Sequence, residues 1–377
     1  MSGGNHTGMV LKTPDVVVAG AGIVGLSAAC DLAGRGLTCL LLDRGRAGRE
    51  ASFAAGGILS PQAETRPDSP LLPLALKARD RHIRLAEELL ELTGIEVEHH
   101  RYGVLSLFFS DEEEAEARKL TEAQKALGLR AEIVSREGVL RLESAVHPES
   151  RGAALFPDDH RVDNRRLLDA LRSLALKRGV LIREYAAVRQ MEIQNGRVAA
   201  VRTDDERIAT GRLVNALGAW AGQIGGDPHP PEVRPVKGHM VSLVDGPPMR
   251  HVVYGHRGYV VPRRDGRLIA GSTMEEAGFN ARVTVEGVAK ALEIATAIAP
   301  ATRHSTIADT WIGFRPATPD GLPIIGRGEA EGLVIAGGLF RNGILLGPLV
   351  GEIAAGLAAG EGAPVDLSAF SPRRFRR

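Results

Sequence analysis

The chain has 377 residues, of which 44% are hydrophobic and 25% are charged. This composition is typical of a globular protein, and the length exceeds what one hydrophobic core supports, so we expect two domains. The 47 Lys and Arg residues nearly balance the 46 Asp and Glu residues, and such a balance gives no indication of a nucleic-acid or anionic-membrane partner.

The N-terminal segment over residues 1–13 is short and polar, and we expect a flexible tail without a signal peptide. No window has the long uncharged apolar run that a membrane helix needs. The two cysteines, Cys30 and Cys39, fall in a predicted helix and a predicted strand, where packing is a better interpretation than a disulfide or a metal pair. These features predict a cytoplasmic protein.

Residues 15–43 predict a strand, a glycine turn, a helix and a second strand. Val16, Val17 and Val18 are typical of a buried parallel strand. The three glycines that follow form G-x-G-x-x-G and suit a tight turn, close approach of a pyrophosphate, and close packing of helix on strand: Gly20, Gly22 and Gly25. Asp43 ends the second strand, where a carboxylate can bind a ribose. The pattern predicts a dinucleotide site, but NAD and FAD share it.

The next stretch is rich in small residues, among them Ser52, Ala55 and Gly56, and we expect it to lie against the ligand. An amphipathic helix follows over residues 70–93, in which His82 is interpreted as a packing or solvated residue. Further on, Asn195-Gly196 between two alternating runs predicts a hairpin. The adjacent His99 and His100 lack metal-ligand spacing, and no metal site is predicted.

The character of the chain changes near Pro230. Several strands and one helix over residues 285–298 predict a separate antiparallel sheet with a helix packed on it. After residue 310, a strand over residues 333–338 ends in two glycines and leads through Gly343 into a last helix. A glycine turn followed by a helix N-terminus is a second potential anion-binding site. Two such helix N-termini on one sheet favour a long cofactor.

Five motifs in this order resemble the D-amino-acid oxidase (DAO) family of FAD-dependent oxidoreductases, and within it the glycine oxidases of the ThiO type. They are the fingerprint at residues 16–36, EASFAAGGILSPQAE, YVVPRRDGRLIAGSTM, WIGFRPATPDGLPIIGR and GGLFRNGILLGPLVGEIAAGL. The resemblance implies an α/β fold, in which an FAD-binding Rossmann-like domain of the GR2/DAO type carries an inserted α+β substrate domain built on an antiparallel sheet. We expect residues 14–83, 151–229 and 310–377 in the FAD domain, and residues 84–150 and 230–309 in the substrate domain.

The same resemblance assigns residues to FAD. Asp43 stands where the family more often has Glu, which is a mild departure because both carboxylates accept the same bonds. Covalent attachment of the flavin in the sarcosine oxidase branch uses a cysteine late in the chain, so the early cysteines imply non-covalent FAD. The implied cofactor residues are Gly20, Gly22, Ile23, Val24, Gly25, Asp43, Arg44, Ser52, Ala55, Gly56, Val188, Gly218, Gly338, Arg341, Asn342, Gly343, Ile344 and Leu345.

The resemblance also places the substrate site. A guanidinium binds a carboxylate in bidentate fashion, and Arg315 stands where the family has this arginine. Tyr259 is implied to contact the same carboxylate, Met274 to bound the pocket near the substrate Cα, and Arg341 to add positive potential. No residue is implied as a general acid or base.

The implied reaction is oxidation of glycine and other small amines to an imine or 2-oxo acid, with ammonia and hydrogen peroxide as further products. The resemblance further implies that dioxygen is the second substrate and that the imine serves thiamine thiazole synthesis. It also implies a homo-oligomer, since members of the family are often tetramers. Three alternatives stay open: a D-amino-acid or sarcosine enzyme of the same fold, an NAD-dependent dehydrogenase, and a non-catalytic FAD-binding subunit.

Overall fold

The computed structural model describes residues 13–375. Residues 1–12 of the predicted tail lie outside that range. The helices of the described part are α1 (Ile23–Gly34), α2 (Ala51–Ala54), α3 (Pro61–Glu64), α4 (Leu71–Thr93), α5 (Asp111–Ala126), α6 (Arg136–Leu142), α7 (Asn164–Lys177), α8 (Val285–Ile298) and α9 (Gly343–Ala358).

The strands of the described part are β1 (Val16–Ala19), β2 (Cys39–Leu42), β3 (Ile58–Leu59), β4 (Val104–Phe108), β5 (Glu132–Ser135), β6 (Gly152–Phe156), β7 (His160–Arg161), β8 (Leu181–Arg183), β9 (Gln190–Gln194), β10 (Arg197–Arg202), β11 (Arg207–Ala209), β12 (Leu213–Asn215), β13 (Arg234–Val244), β14 (Val252–Gly255), β15 (Gly258–Pro262), β16 (Leu268–Gly271), β17 (Thr306–Ala317), β18 (Ile324–Arg327) and β19 (Leu333–Gly337). Within residues 13–375, no helix combines the length and the apolar character that crossing a membrane would require.

The first sheet has six strands in the order β18-β19-β12-β1-β2-β8. All neighbours pair in parallel except β18, which is antiparallel to β19. Val16 and Val18 of β1 face a core shared with α1, α4, α7 and α9. Val17 faces the opposite side, where the three-stranded sheet β11-β10-β9 covers it. A sheet buried on both faces explains the continuous apolar run of β1, and the predicted Rossmann-like domain is confirmed.

The second sheet has eight strands in the order β17-β13-β16-β15-β14-β4-β6-β5. Its neighbours are antiparallel except for β4 and β14, and α8 packs on one face through Ala291, Ala295 and Ile298. The opposite face carries Met240 and Tyr259. The predicted sheet with one packed helix is therefore present, and its second face is free to form one wall of a cavity.

The sheets divide the chain differently from the expected boundaries in three places. β6 and most of β17 were expected in the FAD domain, but both pair within the eight-stranded sheet. The expected boundary at residue 83 falls inside α4, whose Leu85 and Leu89 still pack in the core of the six-stranded sheet. Strand pairing and helix packing between distant segments set these limits, and neither leaves a local signal in the sequence.

Candidate active site

A cavity lies at the carboxyl ends of β1, β2, β12 and β19 and continues under the eight-stranded sheet. It holds about 1400 Å³ of empty space, including its open mouth. Its lining runs from the glycine turn after β1 to Arg315 on β17, so one cavity joins the predicted nucleotide turn to the predicted substrate residues. Ligands of open α/β sheets bind at this edge.

The glycine turn after β1 forms one wall of the cavity. Gly20 has a φ of +97°, and an added Cβ would lie 2.5 Å from the Ala216 carbonyl oxygen. At Gly25 a Cβ would lie 1.7 Å from the Gly20 carbonyl oxygen, so only glycine lets α1 approach the turn. No side chain caps α1 at Gly22, and the Ile23 amide donates to the Ser52 hydroxyl at 3.1 Å. The helix therefore presents polar N–H groups and partial positive charge to the cavity.

Asp43 lines the same end of the cavity. Its carboxylate accepts bonds from the Ala21 amide at 2.7 Å and from the Gly45 amide at 2.9 Å. These bonds hold the side chain at the end of β2, facing the glycine turn. The Arg44 guanidinium lies 4.0 Å from the centre of the Trp220 ring, and both residues line the cavity.

A second helix N-terminus faces the cavity. α9 begins after Asn342, has no side-chain cap, and lies directly against α1, because Gly347 and Gly351 leave room for Ile23 and Ser27. Pro348 sits inside α9 and cannot donate a backbone hydrogen bond, so the Ile344 carbonyl lacks its helical partner.

The buried side chain of His82, on α4, supplies the hydrogen bond that the Ile344 carbonyl lacks. Its Nε2 lies 2.9 Å from the Ile344 oxygen and 3.1 Å from the Leu345 oxygen. Burial lowers the pKa of His82 to about 4, so the ring is neutral and its Nε2–H donates. His82 is thus a packing residue that supports the first turn of α9.

Arg315 lies at the other end of the cavity, on β17. Its Nη1 donates to the Thr273 carbonyl at 3.1 Å, and its Nη2 donates to the Ser272 hydroxyl. Burial lowers the pKa of Arg315 below the ordinary arginine value, but a guanidinium stays charged at neutral pH. Within residues 13–375, these hydrogen-bond partners are neutral and Arg315 has no ion-paired carboxylate, so an uncompensated positive charge faces the cavity.

Gly238 of β13 makes this placement possible. A Cβ at Gly238 would lie 2.3 Å from Nη1 of Arg315 and 2.7 Å from its Cζ. The guanidinium therefore lies flat on the backbone of the neighbouring strand. Gly238 was not among the predicted site residues, although a glycine inside a strand is a signal of close approach.

Tyr259 forms the adjacent wall. Its hydroxyl lies 3.6 Å from the Met240 sulfur, and it also interacts with Arg315. Gly56 fits against the ring, where an added Cβ would lie 3.1 Å from the Tyr259 Cε2. Met240, Tyr259 and Gly56 all line the cavity.

Most residues predicted for the site meet in this one cavity. They are Gly20, Gly22, Ile23, Val24, Asp43, Arg44, Ser52, Ala55, Gly56, Gly218, Tyr259, Arg315, Arg341, Asn342, Gly343 and Ile344. Their individual contacts with a cofactor or a substrate stay predictions.

Five predicted residues do not line the cavity. Gly25 and Leu345 pack behind the two helix N-termini, Val188 is buried beside the three-stranded sheet, and Gly338 has a φ of +67° and lies against Thr318. The placement of Met274 differs most from the expectation, because its side chain is 62% exposed. Met274 lies between Thr273 and Glu275, which are both hydrogen-bonded to β13. Met240 of β13 lies against Tyr259 instead.

The residues present fit FAD. The cavity is long, two uncapped helix N-termini face it, and backbone glycines open the space that a pyrophosphate and a flat ring need. Cys30 and Cys39 do not line the cavity, since both are buried in the core of the six-stranded sheet. Trp220, Glu64 and Gly238 line the cavity as well, and none of them was predicted.

Comparisons with known proteins identify the family of the chain. The family model described as DAO, FAD dependent oxidoreductase, matches residues 15–357. The chain is 36% identical to the bifunctional protein ThiO/ThiG of Synechocystis sp. over 96% of its own length, but it spans only 54% of that relative. It is 33% identical to the glycine oxidase of Geobacillus kaustophilus, covering 96% of this chain and 97% of that protein.

The crystal structure of the glycine oxidase from Geobacillus kaustophilus superposes with a TM-score of 0.93 at 32% identity and covers 97% of this chain and 99% of that one. Fold, cavity and sequence thus lead to the same assignment. The chain belongs to the DAO family of FAD-dependent oxidoreductases.

Proposed function

We propose that this protein oxidises glycine and other small amino acids to the imine, with FAD as the bound cofactor. The products after hydrolysis are a 2-oxo acid and ammonia, and dioxygen is converted to hydrogen peroxide. The observation that carries this proposal is Arg315, a charged guanidinium with neutral partners at the end of the cavity opposite the nucleotide turn. The glycine oxidases among the relatives support the choice of substrate.

In this proposal the substrate carboxylate binds to Arg315, whose remaining N–H groups form a fork for two oxygens. Tyr259 adds its hydroxyl, and the walls around Gly56 and Met240 confine the substrate Cα. FAD, when bound, would accept the two electrons that are removed when the amine is oxidised to the imine. The protein contributes by fixing the substrate in a reactive orientation and by excluding water.

The cofactor contacts are assigned in the same way. Gly20, Gly22 and the N-terminus of α1 hold the pyrophosphate, and Asp43 binds the ribose. The N-terminus of α9 lies where it stabilises negative charge on the flavin. No histidine is found among the described residues that line the cavity, and we assign no proton transfer to a histidine.

We further propose a role in thiamine thiazole synthesis, on the basis of the ThiO/ThiG relative. A cytoplasmic location is proposed because both cysteines are unpaired and buried. A homo-oligomer stays a proposal from the family resemblance.

Arg315→Ala tests the carboxylate assignment. We expect the variant to retain FAD while its KM for glycine rises at least about 100-fold, because a charged bidentate contact is lost. Arg315→Lys is the matched control: it keeps the charge but loses the fork, and its KM should lie between those of the wild type and Arg315→Ala. A normal KM for glycine in Arg315→Ala would refute the assignment.

A further inference from the structure

A third charged residue, Glu64, lies with Arg315 and Arg341 at the substrate end of the cavity. Glu64 ends α3 and lines the cavity together with both arginines. Its Oε1 accepts a hydrogen bond from the Tyr254 hydroxyl at 2.5 Å and another from Nη2 of Arg341 at 3.1 Å. The Glu64 side chain is 12% exposed, and that of Arg341 is 30% exposed, so this ion pair is partly shielded from water.

The turn that carries Glu64 is fixed from behind by buried polar groups. The Asp159 carboxylate is fully buried and accepts bonds from the Gln62 amide at 3.3 Å and the Ala63 amide at 3.0 Å. The Gln62 side chain, also fully buried, donates to the Gln124 side chain at 2.7 Å. The backbone before Glu64 is thus held at two consecutive residues, and the bond from Tyr254 orients the carboxylate itself.

The two arginines at the substrate end of the cavity therefore differ in their charge balance. The charge of Glu64 raises the pKa of Arg341 above the ordinary arginine value. The Arg341 cation is therefore stabilised by Glu64 as its counter-ion. Burial lowers the pKa of Arg315 and outweighs the opposite effect of the Glu64 charge. Within residues 13–375, Arg315 donates hydrogen bonds to the neutral Thr273 carbonyl and Ser272 hydroxyl and has no ion-paired carboxylate. Two guanidinium groups and one carboxylate leave one net positive charge, which matches one substrate carboxylate.

We propose that Glu64 is a specificity-determining residue that restricts the site to amines with a single carboxylate. It does so by holding Arg341 in an ion pair, so that only Arg315 remains to bind an anion. A second substrate carboxylate at this position meets the negative charge of Glu64 or must displace it from Arg341, and either event costs binding energy. This inference rests on the proposed oxidation of small amino acids and narrows its substrate class.

Glu64→Gln tests the proposal in the FAD-bound enzyme. The amide keeps the shape and the bond to Tyr254 but frees the charge of Arg341. We expect the ratio of kcat/KM for iminodiacetate to that for glycine to rise at least about tenfold, since a hydrogen bond to a charged group is worth that much or more. The ratio for D-aspartate to D-alanine should rise in the same direction.

Two further variants make the result specific. In Glu64→Gln/Arg341→Gln the gain should disappear, because the freed guanidinium is absent. Glu50→Gln removes a carboxylate from the nucleotide end of the same cavity, where Glu50 lies 3.5 Å from Arg44, and it should leave both substrate ratios unchanged. An unchanged ratio in Glu64→Gln, or an equal gain in the double variant, would overturn the proposal.

Binding of simple acids separates this proposal from the proposed function. Binding of acetate and malonate can be measured without turnover, because their dissociation constants follow from the shift of the flavin spectrum. We expect Glu64→Gln to tighten malonate binding about tenfold more than acetate binding. That result would support the role of Glu64 even if glycine failed as a substrate, whereas equal changes for both acids would refute it even if glycine were oxidised.

Discussion

Gly238→Ala should impair substrate binding without disturbing the fold. The added Cβ would lie 2.3 Å from Nη1 and 2.5 Å from Nη2 of Arg315, whereas relaxed non-bonded contacts need about 3.5 Å. The guanidinium must therefore move by about 1 Å, which its flexible side chain permits. Such a shift weakens a charged bidentate contact by about 1.5–3 kcal/mol, or roughly 10- to 150-fold in affinity.

The assay compares the KM for glycine and the dissociation constant of acetate in the wild type and in Gly238→Ala, with FAD content and melting temperature as checks on folding. Gly255→Ala is the matched control, because Gly255 lies in the same sheet and its added Cβ would meet Ile298 Cγ1 at an ordinary 3.4 Å. The control should keep the wild-type affinities. If Gly238→Ala binds glycine and acetate normally, the reasoning about Arg315 is wrong.

Two other predictions concern the helices at the cofactor end. Gly25→Ala should abolish FAD binding, measured by the absorbance of the purified protein, because its Cβ would overlap the Gly20 carbonyl at 1.7 Å; a yellow variant would contradict this. His82→Gln should be less stable than the wild type at pH 7, and the difference should shrink as the pH falls. The folded pKa of His82, about 4, lies below the unfolded value of about 6.5, so its stabilising contribution is complete above about pH 6.5 and is lost toward pH 4. The change is on the order of 3 kcal/mol and can be followed by urea unfolding; a pH-independent difference would refute it.

The nucleotide half of the site could be predicted because its signals are local. Gly20, Gly22 and Asp43 lie within one strand-helix-strand unit. The glycines are needed for the backbone turn, and Asp43 accepts hydrogen bonds from backbone amides beside it. The Asn195-Gly196 turn is equally local, and both residues have the positive φ that a two-residue hairpin requires. All of these positions are found where the sequence predicts them.

The substrate half could be predicted only in part. The resemblance placed Arg315 and Tyr259, and both line the cavity. Gly238 and Glu64 were missed because their roles depend on contacts between distant segments: Gly238 meets Arg315 across the pairing of β13 with β17, and Glu64 meets Arg341 across 277 positions of the chain. Met274 was expected in the pocket because it ends the motif that begins at Tyr259. It lies instead between two residues bound to β13, Thr273 and Glu275, and is exposed.

The central claim is that an amino acid bound at Arg315 reduces the flavin. The most direct measurement is anaerobic mixing of the purified protein with glycine while the flavin absorbance is recorded, followed by admission of air. We predict that glycine bleaches the flavin and that air restores it with release of hydrogen peroxide. If glycine, sarcosine, D-alanine and D-proline all left a bound flavin oxidised, the proposed function would be contradicted.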